Sequence, residues 1–92
     1  MSVELYRGED LVIVYSTFPG PAEAQAAARG LVEAGLAACV NMLPGMSSVY
    51  AWKGAVETAE EVVFLAKTRA RLAEAVMAAI AAVHPYETPA LT

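Results

Sequence analysis

The chain has 92 residues, 58% of them apolar, with 10 acidic against 6 basic side chains and a formal net charge of −4. Disordered tails, fibres and multidomain chains are excluded by that composition. Its two lysines and four arginines are too few and too scattered for a nucleic-acid partner. No apolar run approaches the ~20 residues of a membrane span.

Twenty of the residues are alanine, which implies closely packed helices and a modest core. A chain this short buries only about 60–65% of its unfolded surface, and domains of that size commonly rely on a metal, disulfides or an oligomer. Cys39 stands alone, so no disulfide forms within the chain, and a lone thiol fits a reducing compartment. The opening Met1-Ser2-Val3-Glu4 lacks the basic and then apolar character of a signal peptide. The expectation is one cytoplasmic, acidic, oligomeric domain over residues 1–92.

In chain order, residues 1–10 read as a polar lead-in. Residues 11–16 (LVIVYS) are a β-branched apolar run, expected to be a strand covered on both faces or nearly so. Residues 17–21 break it, and Pro21 suits the first turn of a helix, with Glu23 at the positive end of its dipole. Ala24, Ala27, Ala28, Leu31 and Val32 recur at helical spacing as its apolar face. Gly30 weakens that helix by about 1 kcal/mol relative to alanine and would admit a close neighbour. Gly35 ends it as a left-handed cap.

Residues 36–42 (LAACVNM) read as a second strand, with Cys39 inside it as a small buried hydrophobe. Pro44-Gly45 punctuates the run, and residues 48–52 (SVYAW) resume strand chemistry. Lys53-Gly54 suits a hairpin turn, with Val56 beginning the return. Residues 61–68 (EVVFLAKT) form the third strand, and Thr68 is placed as the N-cap of the second helix. Leu72, Val76, Ala79, Ile80 and Val83 make that helix's apolar stripe, which His84-Pro85 ends. Residues 88–92 would begin a last strand.

This β-α-β-β-α-β order is the split βαβ pattern of an α+β, ferredoxin-like sandwich: an antiparallel sheet with two helices on one face. The other face is left bare and apolar in places, and self-association is the cheapest cover.

Among donors to a metal, His84, Cys39 and Glu87 have the right chemistry for copper or another divalent ion. No HxxH or CxxC spacing accompanies them, and a histidine at a helix end also serves simply to satisfy the last carbonyls. Ser16, Ser47 and Ser48 have no G-x-S-x-G context, and no glycine-rich phosphate loop is present. Glu57, Glu60 and Glu61 read as a solvated turn or, more sharply, as a paired acid site. Tyr50 and Trp52 alternate along one strand and suit packing or an interface.

Several segments together are similar to one family. Gly35-Leu-Ala-Ala-Cys-Val-Asn41, Pro44-Gly45, Ser48-x-Tyr50-x-Trp52-x-Gly54, Glu61, Lys67-Thr68 and His84-Pro-Tyr-Glu-Thr-Pro89 resemble the signature of the CutA divalent-cation tolerance proteins, from about Leu11 to the C-terminus. The resemblance implies a trimer of ferredoxin-like subunits, related in architecture to the PII signalling proteins, without enzymatic activity and with a role in tolerance of copper and other divalent ions. It also implies clefts between subunits that gather positions matching Trp52, Glu61, Lys67 and Tyr86, with Tyr50 alongside.

Two departures stand out. Where some relatives place copper on a cysteine and a His-His pair, this chain has Ser16, Val83 and His84, so one of three donors survives. Relatives also continue into a Tyr-Leu-x-Trp-Leu element, whereas this sequence stops at Thr92 and reads as shorter. The leading expectation is a non-enzymatic, trimeric, metal-responsive protein with His84 as first donor and Cys39 and Glu87 as secondary ones. The alternative is a PII-like module holding a small anionic ligand against Lys67, walled by Trp52 and Tyr86.

Overall fold

β-branched and aromatic side chains dominate Leu11–Phe18, and this run forms strand β1. The computed structural model describes residues 10–84. Gly20 is the extended N-cap of helix α1 (Pro21–Glu33), with proline in its first turn, where the missing N–H costs nothing. At the other end Gly35 adopts φ +72°. Its N–H donates to the Val32 carbonyl at 3.0 Å and that of Leu36 to the Leu31 carbonyl at 2.9 Å, a Schellman closure.

The next two runs merge into one long hairpin. Strand β2 (Cys39–Trp52) passes through Pro44-Gly45 without ending, and strand β3 (Ala55–Arg69) returns antiparallel to it. Lys53 (φ 50°) and Gly54 (φ 82°) turn the chain with two consecutive left-handed residues, which suits the right-handed twist of the strands. A single 3₁₀ turn, Ala70–Leu72, leads into helix α2 (Ala73–Val83).

The sheet order is β1-β3-β2, all neighbours antiparallel, with the helices on one face, so the described residues show the ferredoxin-like arrangement. Val14, Ser16 and Phe18 of β1 share the helix side with Val62, Phe64, Ala66 and Thr68 of β3. Ala24, Ala28 and Leu31 of α1 and Val76 and Ile80 of α2 close the core over them. Phe18 and Phe64 rings meet at 4.9 Å and 51°, a tilted aromatic pair at the centre.

Several expectations are corrected. Strand β1 is covered on both faces only toward its end: Leu11 and Ile13 are exposed, whereas Thr17 on their face is buried. Cys39 opens β2 rather than lying within a buried strand, and its thiol is exposed. Thr68 caps no helix: it lies inside β3, where its hydroxyl donates to the Leu36 carbonyl at 2.6 Å. Neither the 3₁₀ turn nor α2 has a side-chain cap. Val32 and Val83 are exposed members of their stripes. A Cβ on Gly30 would meet nothing within 4 Å among the described residues, so none of them makes a close approach there. The last strand expected over residues 88–92 lies outside the described residues.

Candidate functional site

Strand register decides which candidate side chains share a surface. Opposite the helices, the sheet presents Leu11, Ile13, Tyr15 and Thr17 of β1 beside Arg69, Lys67, Leu65 and Val63 of β3. Cys39, Asn41 and Leu43 of β2 complete that face through their pairs with Lys67, Leu65 and Val63. Among the described residues no helix covers it, and Leu11, Ile13 and Leu43 stand exposed there.

Simple alternation beyond Leu43 would carry Tyr50 and Trp52 to the opposite face. A β-bulge prevents this. Leu43 pairs with Val63, and the next pair is Met46 with Glu61, so Pro44 and Gly45 stand against Val62 alone. Gly45 supports the extra residue at φ +82°, where a side chain is strained. One inserted residue inverts every later side chain. Met46, Ser48, Tyr50 and Trp52 therefore lie on the same face as Cys39 and Asn41, paired with Glu61, Ala59, Glu57 and Ala55.

Beyond the bulge the hairpin leaves the helices and becomes a two-stranded arm, which gives the molecule its 47 Å long axis against 25 and 19 Å. Val49, Tyr50, Trp52 and Val56 are exposed on this arm. Lys53 Nζ lies 5.4 Å from the Trp52 ring, a cation–π contact at the tip.

The cleft candidates thus share a face without sharing a place. Trp52 pairs with Ala55, whereas Lys67 lies twelve residues further along β3 and pairs with Cys39. At ~3.3 Å per residue the separation is about 40 Å. Glu61 sits between them, nearly buried, at the bulge. Nearby, Tyr15 Oη donates to Met46 Sδ at 3.9 Å, reaching across β3. Glu57 and Glu61 occupy one face and Glu60 the other, so the expected carboxylate cluster is split. Tyr86 and Glu87 lie outside the described residues.

His84 is fixed from two sides. It is the C-cap of α2, its Nε2–H donates to the Thr17 carbonyl, and its ring lies 4.5 Å from that of Phe18 at 36°. A carbonyl only accepts, so this bond assigns the proton to Nε2. Cys39 is elsewhere: Sγ stands 4.0 Å from Asn41 Oδ1, at the end of the sheet where β3 carries Lys67. Thr17 pairs with Val63, four residues from Lys67, or about 13 Å along the strand. Among the described residues no three His, Cys, Asp or Glu side chains stand together as a metal centre. Within one copy, then, the described residues do not compose a copper site.

The family profile described as CutA1 divalent ion tolerance protein matches residues 12–92. This chain belongs to the CutA1 family. It is 42% identical over 87 residues to the CutA homolog of Xenopus laevis, covering 95% of this chain and 58% of that one. The divalent-cation tolerance protein CutA of Pectobacterium atrosepticum is 42% identical over 82 residues, covering 89% and 74%. The chain spans 58% of the Xenopus relative's length and 41% of the mouse and human ones. Among solved structures, CutA of Xylella fastidiosa aligns with a TM-score of 0.88 and 40% identity over 90% of this chain and 80% of its own. The PII-like CutA of Nostoc in apo form gives 0.80 and 36%, over 87% and 75%.

On the CutA fold the three positions that the resemblance tied to copper take different surroundings. Ser16 is sealed in the core, Val83 is 61% exposed, and His84 is half-buried against β1. The bulge that brings Tyr50 and Trp52 onto the Lys67 face escapes strand periodicity. Its only signal in the sequence is Pro44-Gly45 inside an otherwise strand-like run.

Proposed function

We propose that this CutA1-family chain is the subunit of a non-enzymatic, trimeric divalent-cation response protein whose functional clefts form between copies. The observation that carries the proposal is that Trp52 and Lys67 lie on one face at opposite ends of the hairpin. No ligand of ordinary size touches both in a single copy, but an arm laid across a neighbour's sheet brings them together. The arm also needs such a neighbour, because a two-stranded hairpin is at best marginally stable alone in water. Its exposed valines and aromatics supply the apolar area.

The name shared by the bacterial relatives, divalent-cation tolerance protein, supports a metal-linked role. His84 offers a copper ion one imidazole, with Cys39 and Glu87 as the other candidate donors, and further donors come from neighbouring copies. The test has two parts. Sedimentation velocity reads the assembly, and calorimetric titration of copper(II) compares the parent with His84→Ala in a non-chelating buffer. A trimer with saturable copper binding that His84→Ala abolishes supports the reading. A monomer across the micromolar range overturns the assembly, and identical heats in the two chains overturn the His84 site.

A second reading gains support from the same geometry. Lys67 is exposed beside the Cys39–Asn41 pair, which suits a small anionic ligand closed over by a neighbour's Trp52. Loss of Trp52 fluorescence response to such an anion in Lys67→Ala separates this reading from metal binding.

A further inference from the structure

Among the described residues the strands of the open face carry four charged positions, Glu57, Glu61, Lys67 and Arg69, all on β3 and all of odd number. Glu57 lies on the arm, paired with Tyr50, and Lys67 lies on the body, paired with Cys39 and Ile13. Both are exposed. Ten residues separate them along one strand, about 33 Å, so they cannot meet within a copy. Neither makes an ion pair among the described residues.

An exposed carboxylate at one end of a face and an exposed ammonium at the other are complementary in a head-to-tail arrangement. Laying one copy's arm along the next copy's open face sets Glu57 of the first toward Lys67 of the second. Heterologous contacts of this kind close into a ring when the rotation permits, and the same pair then recurs at every interface. A mutual exchange of arms between two copies would also form the pair, but it consumes both ends and builds no larger ring.

We infer that a second copy of this chain is received on the Lys67 end of the open face, with its Glu57 carboxylate paired to the Lys67 ammonium. The inference rests on the assembly proposed above and adds its polarity and its charge register. Glu60 provides the internal control, because it is exposed on the same strand but belongs to the opposite face. Electrostatic pairs at an interface steer association and fix register more than they add affinity, and a like-charge encounter is penalised. Reversal of one partner is therefore the informative change.

Sedimentation equilibrium of the full chain at low and at high salt tests this with four variants. Glu57→Lys and Lys67→Glu each weaken self-association about tenfold at low salt, and high salt narrows the gap to the parent. The doubly reversed chain, carrying both changes, recovers most of the loss. Glu60→Lys alters net charge by the same amount as Glu57→Lys and associates like the parent. Glu57, Glu60 and Lys67 are all solvent-exposed, so circular dichroism should show unaltered folding in all four variants. The inference is overturned if Glu57→Lys and Glu60→Lys behave alike, or if the double reversal is no better than either single one. A parent that stays monomeric overturns the assembly reading itself, a different result from an assembly indifferent to these charges.

Discussion

His84 donates from Nε2 to the main-chain oxygen of Thr17, so the last residue before Pro85 is tied to the sheet, 67 positions away in sequence. The Phe18 ring beneath it completes the seat. In this position the imidazole is first a structural clamp between α2 and β1. A metal that takes Nε2 must displace the Thr17 carbonyl, and protonation of the ring leaves the Nε2–H donor in place.

His84→Ala is therefore expected to cost stability in the complete absence of metal. One hydrogen bond and one aromatic contact together are worth about 1–3 kcal/mol. Urea denaturation in the presence of a chelator measures this directly. Equal midpoints for parent and variant would show that the clamp contributes nothing and that His84 is available to a ligand without penalty.

The Thr68 hydroxyl makes a second long-range tie, to the Leu36 carbonyl at 2.6 Å, from a side chain that is almost wholly buried. It joins the end of β3 to the residue that closes the Schellman motif of α1. Thr68→Val keeps the shape and removes the donor, leaving a carbonyl to lose its partner, at about 1–3 kcal/mol. Thr68→Ser keeps the donor and loses a methyl group, about 1 kcal/mol. Chemical denaturation should rank parent, serine and valine in that order. A valine variant as stable as the parent would refute the tie.

Ser16 presents the opposite case. Its Oγ is buried on the helix side of β1 and has no hydrogen-bond partner among the described residues. Burying a hydroxyl without a partner carries a cost of about 1–3 kcal/mol in proteins. Ser16→Ala should leave the melting temperature unchanged or raise it by a few degrees. A loss of several degrees would reveal a bonded hydroxyl. Ser16→Cys places a sulfur at the same sealed point, and with Val83 turned to solvent it should not by itself create copper affinity.

These contacts mark how far the sequence could be read. The element order, the positive-φ turn at Lys53-Gly54, the cap at Gly35 and the core faces of α1 and α2 follow from local rules: period 3.6, strand runs, and glycine where φ is positive. Propensity does not see which strand a residue joins, so Thr68 reads as a cap and Cys39 as a buried strand residue. A threonine before a helix suits a cap, and nothing local announces that β3 continues past it to Arg69. The site was legible as residue types but not as geometry. Tyr50, Trp52, Glu61 and Lys67 were recognisable by resemblance, whereas their common face depends on a bulge, and their separation depends on two strands being 14 and 15 residues long.

The bulge makes the last prediction. Deleting Gly45 removes the extra residue, so β2 pairs in regular alternation with β3 and Tyr50 and Trp52 exchange faces with their neighbours. Of the helix-side core on β3, only Val62 stands opposite the bulge, while Phe64 and Ala66 lie beyond it on the body. Folding should survive, with far-ultraviolet circular dichroism close to that of the parent, while self-association falls. Trp52 reports the difference: it is exposed in a single copy, and docking of the arm would bury it. In the parent its emission should shift to the blue with rising protein concentration. In the deletion variant it should stay red-shifted throughout. Trp52→Ala, which removes the aromatic anchor and leaves the bulge in place, should weaken assembly by about 2 kcal/mol. If the deletion variant assembles as tightly as the parent with the same blue shift, the arm does not dock through this face, and the aromatic pair serves some other surface.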